Sequence, residues 1–121
     1  MTRPKQTIAD VDVAGLRVLV RVDFNVPMDG TRIVDDRRIR AAVPTIQRLR
    51  ERGGRVIVAT HLGRPKGRPV EGLRVTPLAA RLGELIGAEV AVAGDVAGPA
   101  AERLCASLRD GDVAMLENVR F

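Results

Sequence analysis

Short apolar segments alternate with amphipathic segments along this chain, and this alternation limits the folds that it can adopt. Residues 55–59 are rich in β-branched side chains and lack the polar alternation of a strand with one solvated face. We predict strands at this segment and at three further apolar segments, 17–22, 89–93 and 112–116. Amphipathic helices are predicted between the strands, at 37–52, from Thr76 onward and at 99–108. The order βαβαβαβ predicts an α/β fold with a parallel, doubly wound, Rossmann-like sheet of about four strands.

The predicted helix from Arg37 to Arg52 separates an apolar face from a polar one. Its apolar residues recur at helical spacing, namely Ile39, Ala42, Val43, Ile46 and Leu49. The opposite face carries Arg40, Arg48 and Glu51. Pro44 should kink this helix because proline lacks an amide donor. The next helix is predicted to have Thr76 as its N-cap and Pro77 as its first helical residue.

The composition favours a small anionic ligand over nucleic acid. The 121 residues allow one domain, with a formal net charge of +5. Arginine gives permanently charged, bidentate contacts to phosphate and carboxylate groups. Proteins that bind single strands usually stack bases on aromatic rings, and this chain contains no Trp or Tyr. Because the sequence pI is about 10.9, a non-catalytic basic module that binds nucleic acid or another polyanion stays open as the alternative.

The sequence also bears on the compartment in which the protein works. Its single cysteine, Cys105, excludes an internal disulfide. No apolar segment approaches the length of a membrane span, and no apolar segment typical of a signal peptide follows the first residues. We therefore expect a cytoplasmic protein with no membrane partner.

Polar and basic residues follow three of the four predicted strands, at the edge where a parallel sheet gathers its carboxyl ends. They are Asp23 and Asn25 after the first strand, His61 and Arg64 after the second, and Glu117, Asn118 and Arg120 after the fourth. The first helix brings Arg38 to the same edge, although its macrodipole disfavours positive charge at that end. Their recurrence at one edge predicts a site that positions and neutralises an anion.

Each of these residues also has an ordinary structural explanation. Asp23 could cap a turn, and Asn25 could occupy a left-handed turn position. Arg38 could be a solvated helix residue, and His61 a hydrogen-bonded loop histidine. Only the combination points to a ligand.

The segment that follows His61 is rich in glycine and positive charge. Gly63 and Gly67 would let the backbone approach a ligand closely. We expect Lys66, Arg68 and Arg74 to be solvated, with Lys66 close enough to the sheet edge for a secondary contact. The sequence contains no GxxxxGK[ST], GxGxxG or HExxH motif, so no nucleotide or metal site is predicted for this chain.

Four segments together resemble the N-terminal signature segments of the phosphoglycerate kinase family. They are residues 21–27, 36–46, 61–67 and 117–121, and they occur in the family's order with fitting spacing. The resemblance implies a glycolytic, two-domain phosphotransferase that moves a phosphoryl group between 1,3-bisphosphoglycerate and ADP with Mg²⁺. It also implies that the N-terminal domain holds the phosphoglycerate, and that Mg²⁺ and ATP or ADP are bound by a C-terminal domain.

The resemblance implies roles for individual residues. Asp23 and Asn25 would contact the hydroxyl-bearing part of 3-phosphoglycerate. The non-transferred phosphate would be clamped by His61, Arg64 and Arg120. Arg38 would face the carboxyl end and stabilise the transferring phosphoryl group as the catalytic residue. The predicted substrate-binding set also includes Phe24, Leu62 and Gly63, which lie in the same matching segments.

Residues 1–121 are accordingly expected to be a partial N-terminal domain that lacks the nucleotide-binding domain. We expect this polypeptide alone to have no kinase activity. We also expect marginal stability with an exposed sheet edge, because no helix follows the fourth strand. A full-length member of the family is expected to be a monomer.

Overall fold

The computed structural model describes residues 13–30, 32–63, 67 and 73–119. Its main sheet has four parallel strands, β1 (Arg17–Arg21), β4 (Arg55–Ala59), β5 (Val90–Val92) and β6 (Val113–Met115). They lie in the order β1-β4-β6-β5, with Leu19, Ile57 and Ala114 in register across three neighbouring strands. The prediction of a parallel α/β sheet is confirmed.

Three helices connect these strands, α1 (Arg37–Glu51), α2 (Thr76–Ile86) and α3 (Pro99–Ser107). The connections through α1 and α2 run in one direction across the sheet, and the connection through α3 runs back. Because such crossovers are right-handed, α3 must lie on the opposite face from α1 and α2. The sheet is therefore doubly wound, as predicted.

Most of the core lies between the sheet and the pair α1 and α2. The predicted apolar face of α1 is confirmed, since Ile39, Ile46 and Leu49 are buried. From α2 the core receives Leu78, Ala79, Leu82 and Ile86. A smaller cluster on the other face joins Ile57, Leu108 and Ala114. Burial of this aliphatic surface is the main favourable contribution to folding.

The structure departs from the predicted elements in two places. A short antiparallel hairpin, β2 (Met28–Asp29) and β3 (Arg32–Ile33), lies in the segment predicted to be a turn. Helix α2 begins at Thr76, so Thr76 is not its N-cap and Pro77 is its second residue rather than its first. The N-cap is Val75, whose side chain makes no capping hydrogen bond. Helix α1 continues through Pro44.

The two edges of the main sheet are β1 and β5, whereas β6 lies inside it. Leu19 of β1 is 65% exposed, although its neighbour in register, Ile57, is buried. Among the described strands, the edges therefore belong to the first and third predicted strands and not to the fourth, and the apolar face that Leu19 shares with Ile57 is exposed at β1. No helix in the described part of the chain is long and apolar enough to cross a membrane.

Candidate functional site

Three loops meet at the carboxyl edge of the sheet because β1, β4 and β6 are neighbours there. We call residues 22–27, 60–63 and 117–119 the rim loops. The Phe24 amide donates to Thr60 Oγ1 at 3.0 Å, and the Gly63 amide donates to Asn25 Oδ1 at 3.0 Å. The Val119 amide donates to the carbonyl oxygen of Thr60 at 3.0 Å. The loop after β4 is thus bonded to both of its neighbours.

Arg38, in the first turn of α1, joins Asp23 and Asn25. Its Nη1 lies 3.1 Å from Asp23 Oδ1 and 2.9 Å from the carbonyl oxygen of Asn25. The Arg38 and Asp23 side chains are 55% and 64% exposed, so both can reach a ligand. Three of the predicted site residues therefore form one hydrogen-bonded group.

The start of α1 carries several arginines. The positive charge of two of them is compensated by Asp35 and Asp36, which lie just before the helix. Asp35 accepts hydrogen bonds from the backbone amide and guanidinium of Arg37, and these bonds lower the pKa of the carboxyl. Asp36 accepts from Arg81 Nε at 2.8 Å and from Arg40 Nε at 2.9 Å, and these bonds hold its pKa below the ordinary 3.8. The pair between Asp36 and Arg81 ties the end of α1 that carries Arg38 to α2.

His61 is half-buried, and the residues on either side of it are buried. Phe24 is fully buried and Leu62 is 2% exposed, so these two predicted binding residues can offer a ligand only backbone atoms. Gly63 has φ +63°, and a Cβ there would lie 2.6 Å from Leu73 Cδ2. Both the backbone conformation and the close packing favour glycine at this position.

Glu117 and Asn118, predicted to be at the sheet edge, lie inside the protein. They are 2% and 0% exposed, and Asn118 Nδ2 donates to the carbonyl oxygens of Leu62 and Leu73. Arg74 was expected to be a solvated charge, and that prediction is wrong: its Nη1 lies 3.3 Å from Glu117 Oε2. Arg64 and Arg120, together with Lys66 and Arg68, lie outside the described residues.

The surface beside Arg38 is concave. A groove of about 500 Å³ is lined by residues that include Asn25, Pro27 and Arg38. A larger groove of about 740 Å³ lies between Asp36 and α2, but none of the predicted ligand-binding residues lines it. The groove beside Arg38 is the better candidate because two of the predicted site residues, Asn25 and Arg38, line it.

Two features of the site were not found from the sequence. Thr60, whose hydroxyl binds the Phe24 amide, is an ordinary polar residue at the end of a strand, and its partner is 36 residues upstream. The ion pair between Asp36 and Arg81 depends on how α1 packs against α2, which helical periodicity does not determine. Among the described residues, no group of three or more His, Cys, Asp or Glu side chains could hold a metal ion.

Comparison with known proteins identifies what this arrangement is similar to. A family profile described as phosphoglycerate kinase matches residues 8–121. The crystal structure of phosphoglycerate kinase from Pyrococcus horikoshii OT3 is 35% identical, with a TM-score of 0.86 over 94% of this chain. The structure of phosphoglycerate kinase from Coxiella burnetii is 32% identical, with a TM-score of 0.80 over 98% of this chain. The chain spans only 28% and 29% of the lengths of those two proteins.

Proposed function

Because this chain belongs to the phosphoglycerate kinase family, we propose that its rim loops form the 3-phosphoglycerate side of that enzyme's active site. Residues 1–121 would then be a partial N-terminal domain. The whole enzyme would transfer a phosphoryl group between ATP and 3-phosphoglycerate, and this polypeptide alone would bind 3-phosphoglycerate without forming product. A coupled assay of ATP formation from 1,3-bisphosphoglycerate and ADP should give no rate above background.

One observation carries the proposal: Arg38 is hydrogen-bonded to both Asp23 and Asn25 beside the loop that holds His61. The residues that carry carboxylate, amide, imidazole and guanidinium groups thus lie in the rim loops and the first turn of α1. Asp23 and Asn25 would contact the hydroxyl-bearing part of the ligand, while His61, with Arg64 and Arg120, would bind its phosphate. Such a set matches a small molecule with an anionic group at each end.

Arg38 is available to the ligand because its ion pair with Asp23 is exposed and weak. An exposed ion pair such as that with Asp23 contributes about 0–1 kcal/mol, so sharing the guanidinium with a carboxylate is inexpensive. Phosphoryl transfer depends mainly on positioning and on neutralising charge that develops in the transition state. In the whole enzyme Arg38 would supply that positive charge at the carboxyl end of the substrate.

The nucleotide and Mg²⁺ that this family uses would be bound by residues beyond this chain. Mg²⁺ prefers carboxylate and phosphate oxygens in octahedral geometry, and the described residues contain no carboxylate cluster suited to it. We therefore assign no chemical step of this chain to the metal. The proposed setting is the cytoplasm, with a small-molecule substrate and a monomeric full-length enzyme.

Isothermal titration calorimetry with 3-phosphoglycerate tests the proposal directly. Wild type should give saturable heat, and Arg38→Ala should weaken binding about tenfold or more because a charge-assisted hydrogen bond is lost. Arg48→Ala is the matched control, since it removes the same charge from an exposed position further along α1. Equal binding by wild type and Arg38→Ala, or no binding by wild type, would contradict the proposed site.

A further inference from the structure

The turn after β6 holds the backbone on both sides of His61. The Val119 amide donates to the Thr60 carbonyl oxygen at 3.0 Å, and Asn118 Nδ2 donates to the Leu62 carbonyl oxygen at 2.7 Å. Thr60 and Leu62 are the residues immediately before and after His61. The backbone of His61 is therefore held in place by the turn that follows the neighbouring strand β6.

The Asn118 amide also reaches a second segment of chain. Its Nδ2 lies 2.9 Å from the Leu73 carbonyl oxygen, so one amide group bridges two carbonyl groups distant in sequence. A primary amide has two N–H donors and can serve both acceptors at once. Asn118 is fully buried. If its side-chain amide were removed, the carbonyl groups of Leu62 and Leu73 would lose a hydrogen-bond donor, and water would not readily take its place in the interior.

Glu117 extends this arrangement to the start of α2. Its Oε1 accepts from the backbone N–H of Val75 at 3.0 Å and from the backbone N–H of Asn118 at 2.9 Å, while Oε2 faces Arg74. A buried carboxylate is tolerated only when it is bonded in this way. The buried pair Glu117 and Asn118 thus joins the chain after β4 to the chain before α2.

A continuous path of hydrogen bonds and peptide links leads from this pair to the proposed ligand site. Asn118 holds Leu62, the adjacent Gly63 amide donates to Asn25, and the Asn25 carbonyl oxygen accepts from Arg38. Neither Glu117 nor Asn118 can contact a ligand, because both side chains are buried.

We propose that Asn118, supported by Glu117, is a positioning residue that sets the orientation of His61 and of the Gly63 to Asn25 contact for phosphate binding. The ligand part of this inference rests on the proposed function. The positional part can be tested in the free protein.

Nuclear magnetic resonance of the imidazole provides the readout, because His61 is the one histidine in the sequence. In Asn118→Ala the ring signals of the folded, ligand-free protein should move from their wild-type positions. Leu108→Ala is the matched control, since it truncates a buried side chain on the opposite face of the sheet. It should lower stability yet leave the His61 signals where they are. If Asn118→Ala does not fold, Asn118→Ser, which keeps one hydrogen-bond donor, replaces it. In Asn118→Ser the His61 ring signals should move in the same way by a smaller amount.

Glu117→Gln is the conservative variant. A Gln oxygen at the position of Oε1 can still accept from Val75 and Asn118, so the His61 signals should match those of wild type. Affinity for 3-phosphoglycerate should fall about tenfold in Asn118→Ala and stay near wild type in Glu117→Gln and Leu108→Ala. Unchanged ring signals in folded Asn118→Ala or Asn118→Ser, or equal shifts in Leu108→Ala, would overturn the positioning role. If wild type does not bind 3-phosphoglycerate, the proposed function fails, and the ligand-free ring signals still decide the positioning role.

Discussion

At the scale of single residues, the rim loops depend on side chains that bind backbone groups of a neighbouring loop. Thr60 Oγ1 accepts the Phe24 amide, and Asn25 Oδ1 accepts the Gly63 amide. These bonds hold the loop after β1 against the loop after β4, and the bond from Arg38 to the Asn25 carbonyl oxygen adds the first turn of α1. The geometry of the candidate site therefore depends on these side-chain to backbone hydrogen bonds as well as on the charged residues.

Thr60→Val should destabilise the protein by about 1–3 kcal/mol, because the buried Phe24 amide loses its acceptor while the side-chain volume is nearly kept. Chemical denaturation measures the difference. Thr60→Ser keeps the hydroxyl and loses one methyl group, so its loss should be about 0.8 kcal/mol. A Thr60→Val protein as stable as wild type would show that the bond contributes nothing.

Among the polar residues that were predicted at the sheet edge, some are exposed there and others are buried. Asp23 and Asn25 were predicted at one edge because they follow a strand, and Arg38 because it begins a helix at the same edge, and the structure joins all three by hydrogen bonds. Glu117 and Asn118 were found by the same pattern, but their burial was not, because a polar residue after a strand looks the same whether it faces solvent or the interior. Their partners around residues 62 and 73–75 become neighbours only in the folded chain.

At the scale of elements, the sequence predicted the helices and the long strands closely. The segment 55–59 coincides with β4, and α1 ends one residue before the predicted Arg52. The hairpin of β2 and β3 was missed because two-residue strands are too short to show alternation. The N-cap of α2 was misassigned because the helix begins one residue earlier than the Thr-Pro pattern indicates, with Val75 as an N-cap whose side chain makes no capping hydrogen bond.

The ion pair between Asp36 and Arg81 makes the packing of α1 on α2 dependent on pH. Since hydrogen bonds lower the pKa of Asp36 in the folded protein, its carboxylate stabilises the fold above its ordinary pKa of 3.8. That contribution is lost as the pH falls through the lowered value. Asp36→Asn should therefore unfold at a lower urea concentration than wild type at pH 7, and the gap should narrow below about pH 4.

The control for this prediction is Asp29→Asn, the same chemical change at an exposed position of β2. It should shift the urea midpoint less than Asp36→Asn at pH 7. A gap between wild type and Asp36→Asn that stays constant from pH 7 to below pH 3 would contradict a pKa of Asp36 that is lowered by its contacts with Arg81 and Arg40.

At the scale of the whole molecule, the basic composition leaves two kinds of partner to compare. Several arginines, including Arg37, Arg40 and Arg55, pair with carboxylates, so their charge is locally compensated. A polyanion bound through many phosphate contacts would lose affinity steeply with salt, whichever single arginine is removed. A metabolite held at the rim loops would depend on Arg38 in particular. The local pairing of charge favours the metabolite.

Backbone amide chemical-shift mapping during titration with 3-phosphoglycerate tests most directly whether the rim loops bind this ligand. We predict saturable shifts confined to the rim loops and the first turn of α1, with Asn25, Arg38 and Gly63 among the largest. The exposed end of α1 near Arg48 should not respond. An absence of saturable shifts, or shifts spread over arginines across the surface, would contradict a 3-phosphoglycerate site at the carboxyl edge of this sheet.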